Sequence, residues 1–205
     1  YVLMPIHKES YLIAKYRERF EPHIKLVLPE IDQILQVHNK GTLAAYAQER
    51  GLPMPRTWIP KSVDEFRAQL DEIEVPAFVK IRESASGVGI KKVDTREGLE
   101  TTFCKFIERF ELADKDLPII QAAIPGEDYC VTTMFNRGQL AACMTYRNLR
   151  AYPANRGAGV MRETVSMPAM EKIAADTLGP LDWHGVAEID FRWDGNEDTA
   201  PSLIE

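Results

Sequence analysis

Apolar and polar positions change period several times along this chain, and each change marks an element. An apolar run at residues 1–5 predicts a strand, followed by a helix over 10–20, a second strand over 24–28 and a helix over 30–37. Strand–helix pairs of this kind build a parallel sheet. A further helix starts at Thr42 and stops at Gly51, with Pro53 and Pro55 just beyond, the usual punctuation of a helix end. Ser62-Val63-Asp64-Glu65 forms a capping box ahead of Val63, Phe66, Leu70 and Ile73 at helical spacing. A strand over 75–79 ends in Lys80, and a Ser/Gly loop leads back to a strand over 90–93. Asp94-Thr95-Arg96-Glu97 starts another helix, whose stripe of Leu99, Phe103, Phe106, Ile107 and Phe110 is core.

A strand over 117–124 closes this part, and Pro125-Gly126 breaks it from the next. Residues 129–135 and 140–146 alternate around the turn Asn136-Arg137-Gly138, which predicts a hairpin. A strand near 160–165, a helix over 168–178 and a final pair of strands, 186–193 and 202–205, complete the pattern. Arginines cluster around the segment 147–161, which is rich in Asn, Gly and Pro.

Composition narrows the class. The chain has 205 residues, 45% apolar and 27% charged, ordinary values for a globular protein with a real core. Net charge is −6 with no long run of one sign, so neither nucleic acid nor a membrane surface is indicated as partner. Cys104, Cys130 and Cys143 have no metal or CxxC spacing and read as reduced core thiols of a cytoplasmic protein. No stretch is long and apolar enough to span a bilayer. The sequence starts without Met, and both ends fall inside apolar runs, which reads as an internal piece of a longer protein.

The chemistry centres on residues 75–89. A lysine at a strand end beside a flexible small-residue loop can hold a phosphate chain, because backbone N–H groups close on phosphates only where side chains are small. The order of residues is not that of a P-loop, since Lys80 precedes the glycines. Nor does the loop open a helix as a dinucleotide fingerprint does. On its own the stretch is equally readable as a plain hairpin.

Three further motifs align with it: Gln121-Ala122-Ala123-Ile124 before Pro125-Gly126-Glu127-Asp128, Gly185-Val186-Ala187-Glu188-Ile189-Asp190-Phe191, and the terminal Leu203-Ile204-Glu205. In this order they resemble the ATP-grasp superfamily over the whole chain, with the carboxylate–amine ligase and carbamoyl-phosphate-synthase-like branch nearest. The resemblance implies an α/β and α+β architecture: a partial parallel α/β domain (1–50), a small lobe with the phosphate loop (51–123) and a C-terminal lobe with the Mg²⁺ and substrate site (124–205).

The resemblance also implies roles. Lys40, placed just before a helix, and Lys80 would contact phosphates of ATP, under a loop that includes Ser84, Ser86, Gly87 and Gly89. Gln121 would lie near the adenine amino group, and the backbone of Ala122 and Ile124 would bond the adenine edge. Asp128, with Glu127 as fallback, would bind ribose. Asp190 and Glu205 would hold Mg²⁺, a hard cation that prefers one or two carboxylates plus phosphate oxygens. Among Arg147, Arg150, Arg156 and Arg162, the first two are the expected catalytic arginines, since arginine grips phosphate and carboxylate bidentately.

In one respect the chain departs from the pattern: where some ligases carry an arginine two residues before the metal-binding aspartate, Glu188 stands here. The implied reaction is formation of an acyl phosphate from a carboxylate and its capture by an amine. Alternatives are phosphorylation of bicarbonate and a degenerate nucleotide-binding fold. The implied partners are small acids and amines, with homodimerisation allowed.

Overall fold

The computed structural model describes residues 1–5, 7–84, 87–152 and 158–205. At its N-terminus β1 (Val2–Leu3) runs through α1 (His7–Lys15) and α2 (Arg17–Phe20) to β2 (Lys25–Leu26), which pairs parallel with β1, as the alternating pattern predicts. Next come α3 (Ile31–His38) and α4 (Lys40–Arg50). Asn39 caps α4 by accepting the N–H groups of Gly41 and Thr42, so the helix begins at Lys40, two residues earlier than its apolar period suggests.

A four-stranded antiparallel sheet follows, made of β3 (Thr57–Trp58), β4 (Ala77–Lys80), β5 (Ile90–Val93) and β6 (Ile119–Ala122) in the order β3-β6-β4-β5. Between its strands lie α5 (Val63–Gln69) and α6 (Arg96–Phe110). The predicted starts of both helices hold: Ser62 accepts the Glu65 N–H and Thr95 accepts the Gly98 N–H. Their apolar stripes meet where Phe66 stacks on Phe103 with centroids 3.9 Å apart, and Val79, Leu99 and Ile120 fill in around them. Strand β3 was not legible, because two residues carry no period.

The larger sheet comprises β7 (Glu127–Asn136), β8 (Gln139–Tyr152), β9 (Ala158–Val165), β10 (Gly185–Trp193) and β11 (Ser202–Leu203), ordered β11-β10-β7-β8-β9. Helix α7 (Pro168–Leu178) covers one face, packing Met170, Ala174 and Leu178 with Val131, Phe135, Ile189, Phe191 and Leu203. The same cluster takes in Ile13, Leu28, Ile34, Leu43 and Ala47, and Tyr46 donates its hydroxyl to the Thr177 carbonyl. Residues of the first and third expected domains therefore share one core among the described residues, while the small sheet and its helices have their own.

Strand β8 continues to Tyr152 and β9 begins at Ala158, with register shifts near Arg150. One expectation changes: the cysteines are all free, but of the three Cys130 alone is buried and Cys143 is exposed, so they are not all core thiols. No described helix is long and apolar enough to cross a membrane.

Candidate functional site

Lys40 and Lys80 are only 3% and 6% exposed, and burial this deep is rare for lysine unless an anion answers it. Lys80 ends β4 on the face of the small sheet opposite the Phe66–Phe103 core, where its Nζ donates to Gln121 Oε1 at 2.7 Å. Lys40, in the first turn of α4, reaches the Ser84 carbonyl at 3.1 Å and Glu205 Oε1 at 2.7 Å. Its backbone N–H bonds the Arg82 carbonyl, which ties α4 to the chain just beyond β4. Burial lowers the Lys80 pKa to about 8, an effect offset by Glu205 and reinforced by Lys40, with Asp190 and Asp128 adding to the offset. These groups therefore lie close enough to feel one another across the two sheets.

The loop after Lys80 is closed by Ile81 N–H on the Gly89 carbonyl at 2.9 Å. Gly89 has φ +66, and a Cβ there would stand 2.5 Å from the Ile81 side chain, so a side chain is excluded. Gly87 also has positive φ. Ser84 is the loop residue held by Lys40, while the Ser86 assignment falls outside the described residues.

Of the two predicted metal acids, Asp190 lies in β10 and Glu205 two residues beyond β11. Leu203 pairs with Phe191 and points into the core, so strict alternation would turn Glu205 to that face as well. Instead, the N–H groups of both Ile204 and Glu205 point at the Asp190 carbonyl (2.8 and 3.4 Å), and the Asp190 N–H bonds the Glu205 carbonyl at 2.7 Å. Two residues thus oppose one, a β-bulge, which re-aims Glu205 to the side of Asp190. Burial raises Asp190 to about 6, as for a carboxylate short of positive charge. Two hard oxygen donors beside a phosphate-type cradle fit Mg²⁺. Cys130, whose thiol burial pushes up to about 12, forms a cluster with Asp190 and Glu188 but is a soft, protonated neighbour that does not suit Mg²⁺.

Strand register sorts the remaining candidates, because residues directly opposite in an antiparallel pair share a face. Asp190, Cys130, Tyr146 and Thr164 form one row across the face away from α7, and beyond it, two residues along each strand, lie the pairs Arg192–Asp128 and Asn148–Arg162. Asp128 is on this open face, ion-paired with Arg192, whereas Glu127, one position out of phase, turns away to Arg147. Arg147 shares the Tyr129–Phe191 row on the covered side and is held by Glu127 and Glu163 at 3.1 and 2.7 Å. Alternation thus places Arg147, expected among the reacting groups, on the face opposite Asp190.

Arg150 lies past the bulge opposite Met161, exposed and outside the convergent set; Arg156 lies outside the described residues. The arginines on the open face are Arg162, over the Tyr146 ring at 4.5 Å, and Arg192. Period two from Asp190 would have found Arg192 and Glu188, whereas Cys130, Tyr146 and Arg162 needed the register.

At the join between the sheets, the Gln121 side chain is committed to Lys80 and to Thr57 Oγ1, not free as expected. The Ala122 N–H bonds the Arg56 carbonyl and the Ile124 carbonyl accepts Arg192 Nε. The Ile124 N–H has no partner among the described residues. Gly126, at φ +115, passes so close to Trp193 that a Cβ would overlap its carbonyl oxygen.

The arrangement of these two sheets and their helices recurs in solved structures. Biotin carboxylase of Campylobacter jejuni, in its beta-gamma-ATP complex, matches all of this chain with a TM-score of 0.78 at 14% identity, over 48% of its own length. The chain has the ATP-grasp fold. The ATP-grasp likeness extends to the D-alanine–D-alanine ligase of Bacillus anthracis (TM-score 0.69, 17% identity, 94% of this chain and 62% of that one). It extends also to carboxyaminoimidazole ribonucleotide synthase of Aspergillus clavatus, complexed with ATP (0.66, 15%, 94% and 50%).

By sequence, 81 residues are 33% identical to urea amidolyase of Saccharomyces cerevisiae, covering 39% of this chain and 4% of that protein. No family model matches the chain. It thus spans about half the length of the first of these ATP-grasp structures and a small part of the amidolyase.

Proposed function

We propose that this protein binds Mg·ATP between its two sheets, transfers the γ-phosphoryl group to a substrate carboxylate and passes the acyl group to an amine. The observation that supports this is the buried Lys40 paired with Glu205 at 2.7 Å, with Lys80 close enough to feel the charges of Lys40, Glu205 and Asp190. Lys80 and Lys40 hold phosphates under the 84–89 loop. The Ile124 N–H bonds the adenine edge and Asp128 the ribose. Asp190 and Glu205 hold Mg²⁺, which neutralises phosphate charge during transfer. Arg162, on the open face, takes the role first expected of Arg147. Phosphoryl transfer asks for position and charge more than covalent help, and the loop keeps water from the acyl phosphate.

The test is ADP release by the full-length protein with Mg·ATP over a panel of acids and amines. Release that requires both an acid and an amine supports the proposal; release that ignores both contradicts it. A second reading, phosphorylation of bicarbonate, is favoured by the biotin carboxylase and urea amidolyase matches. Bicarbonate-stimulated release without an organic acid would select it. Free cysteines throughout support a reducing, cytoplasmic setting.

A further inference from the structure

We infer that Glu188 and the apolar end of the open face of the large sheet seat the acceptor, which docks as a primary ammonium compound bearing an aliphatic substituent and becomes the nucleophile after releasing a proton to solvent. The inference rests on the ligase reading and adds the class of its acceptor. Strand register places Glu188, Thr132 and Met144 in one row, directly beside the row of Asp190, Cys130 and Tyr146. The next row away from Asp190 is Val186, Met134 and Ala142. Charge thus gives way to apolar surface along this face: acids near the phosphate end, then Met144 and Val186, exposed at 48% and 44%.

Glu188 is built to receive a cation. Tyr146 and Thr132 both donate to its Oε2, at 2.5 and 3.1 Å. Both donors reach Oε2, and Oε1 has no hydrogen-bond partner among the described residues. Glu127, Glu163 and Glu205 each have an arginine or lysine; among the described residues Glu188 has none. An ammonium group bound there lies beside the expected metal acid, on the side away from Asp128 and the adenine end.

Rows on one face of a strand are about 7 Å apart. A substituent of a few carbons therefore reaches from Glu188 across Met144 to Val186 and Met134. An anion would meet the carboxylate, and a neutral group would leave it unpaired, so the seat discriminates by charge first and by apolar contact second. Lys40 and Lys80 attract the triphosphate to one part of the groove, and Glu188 draws the cationic acceptor to the other.

The experiment uses the full chain with methyl-¹³C methionine, saturated with MgADP, and follows the Met134 and Met144 methyl signals. The probes are n-butylammonium, methylammonium, 1-butanol and butyrate. Butylammonium is expected to shift both methyls saturably, methylammonium to bind about tenfold more weakly, and butyrate not to bind. Glu188→Gln is expected to weaken butylammonium about tenfold with MgADP affinity unchanged. Val186→Ser, at an exposed position, is expected to bring butylammonium down to the level of methylammonium.

Equal responses to butylammonium, 1-butanol and butyrate, or unchanged binding in Glu188→Gln, would overturn the inference. Loss of MgADP affinity in Glu188→Gln would also overturn it, making Glu188 a metal ligand instead. If the unaltered protein fails to bind MgADP, the ligase reading fails by itself, and the probe titrations then read the ammonium seat in nucleotide-free protein.

Discussion

In the proposed role of phosphate ligand Lys80 would act only while charged, yet its position makes charge costly: burial brings its pKa to about 8 from 10.5. Between these values the unfolded chain holds a proton that the folded one has lost, so this group makes the nucleotide-free protein more stable as pH rises from 8 to 10.5. Nucleotide affinity runs the opposite way over that window, because the phosphates need the ammonium form. On the acid side, Asp190 must be ionised to hold Mg²⁺, and its pKa near 6 sets the other limit. We expect a bell-shaped pH profile of Mg·nucleotide affinity with limbs near 6 and 8, measured by calorimetry. Lys80→Arg, which stays charged, is expected to remove the alkaline limb. An unchanged alkaline limb in that variant would place the titrating group elsewhere.

Two short elements set the groove's shape. The bulge at the end of β11 turns Glu205 from the core side to Lys40 and Asp190. Glu205→Gln is therefore expected to spare binding of metal-free ADP while lowering Mg²⁺-dependent ADP release about 100-fold or more, in line with loss of a metal carboxylate. Equal loss of metal-free ADP binding would mean that Glu205 only supports the fold. The 84–89 loop depends on Gly89, where positive φ and the Ile81 side chain both exclude a Cβ. Gly89→Ala is expected to cost about 1–2 kcal/mol in thermal or urea unfolding and to weaken ATP more than adenosine. Unchanged ATP affinity would detach the loop from the phosphates.

These devices also show what the sequence could disclose. The helix starts at Ser62 and Thr95, the stop at Gly51 and the Lys80 loop were legible because each is a local signal. The side to which Glu205 turns was not, because a bulge is an extra residue in a pairing that no linear pattern records. The side taken by Arg147 was not legible for a related reason: its partners Glu127 and Glu163 are fixed by register.

At the scale of the molecule, two apolar cores form the two walls of the groove, one behind the small sheet and one shared by the N-terminal helices and the large sheet. Each core holds charged groups at its open surface, and neither wall alone assembles both lysines with both acids. The central claim is that these four groups meet one magnesium-bearing triphosphate. It is tested most directly by titrating Mg·ATP into the full-length protein and into Lys80→Met. Binding that requires Mg²⁺ and weakens about 100-fold in the variant, the loss of a charge-assisted phosphate contact of about 3 kcal/mol, is the predicted result; equal affinity in both proteins would contradict the account.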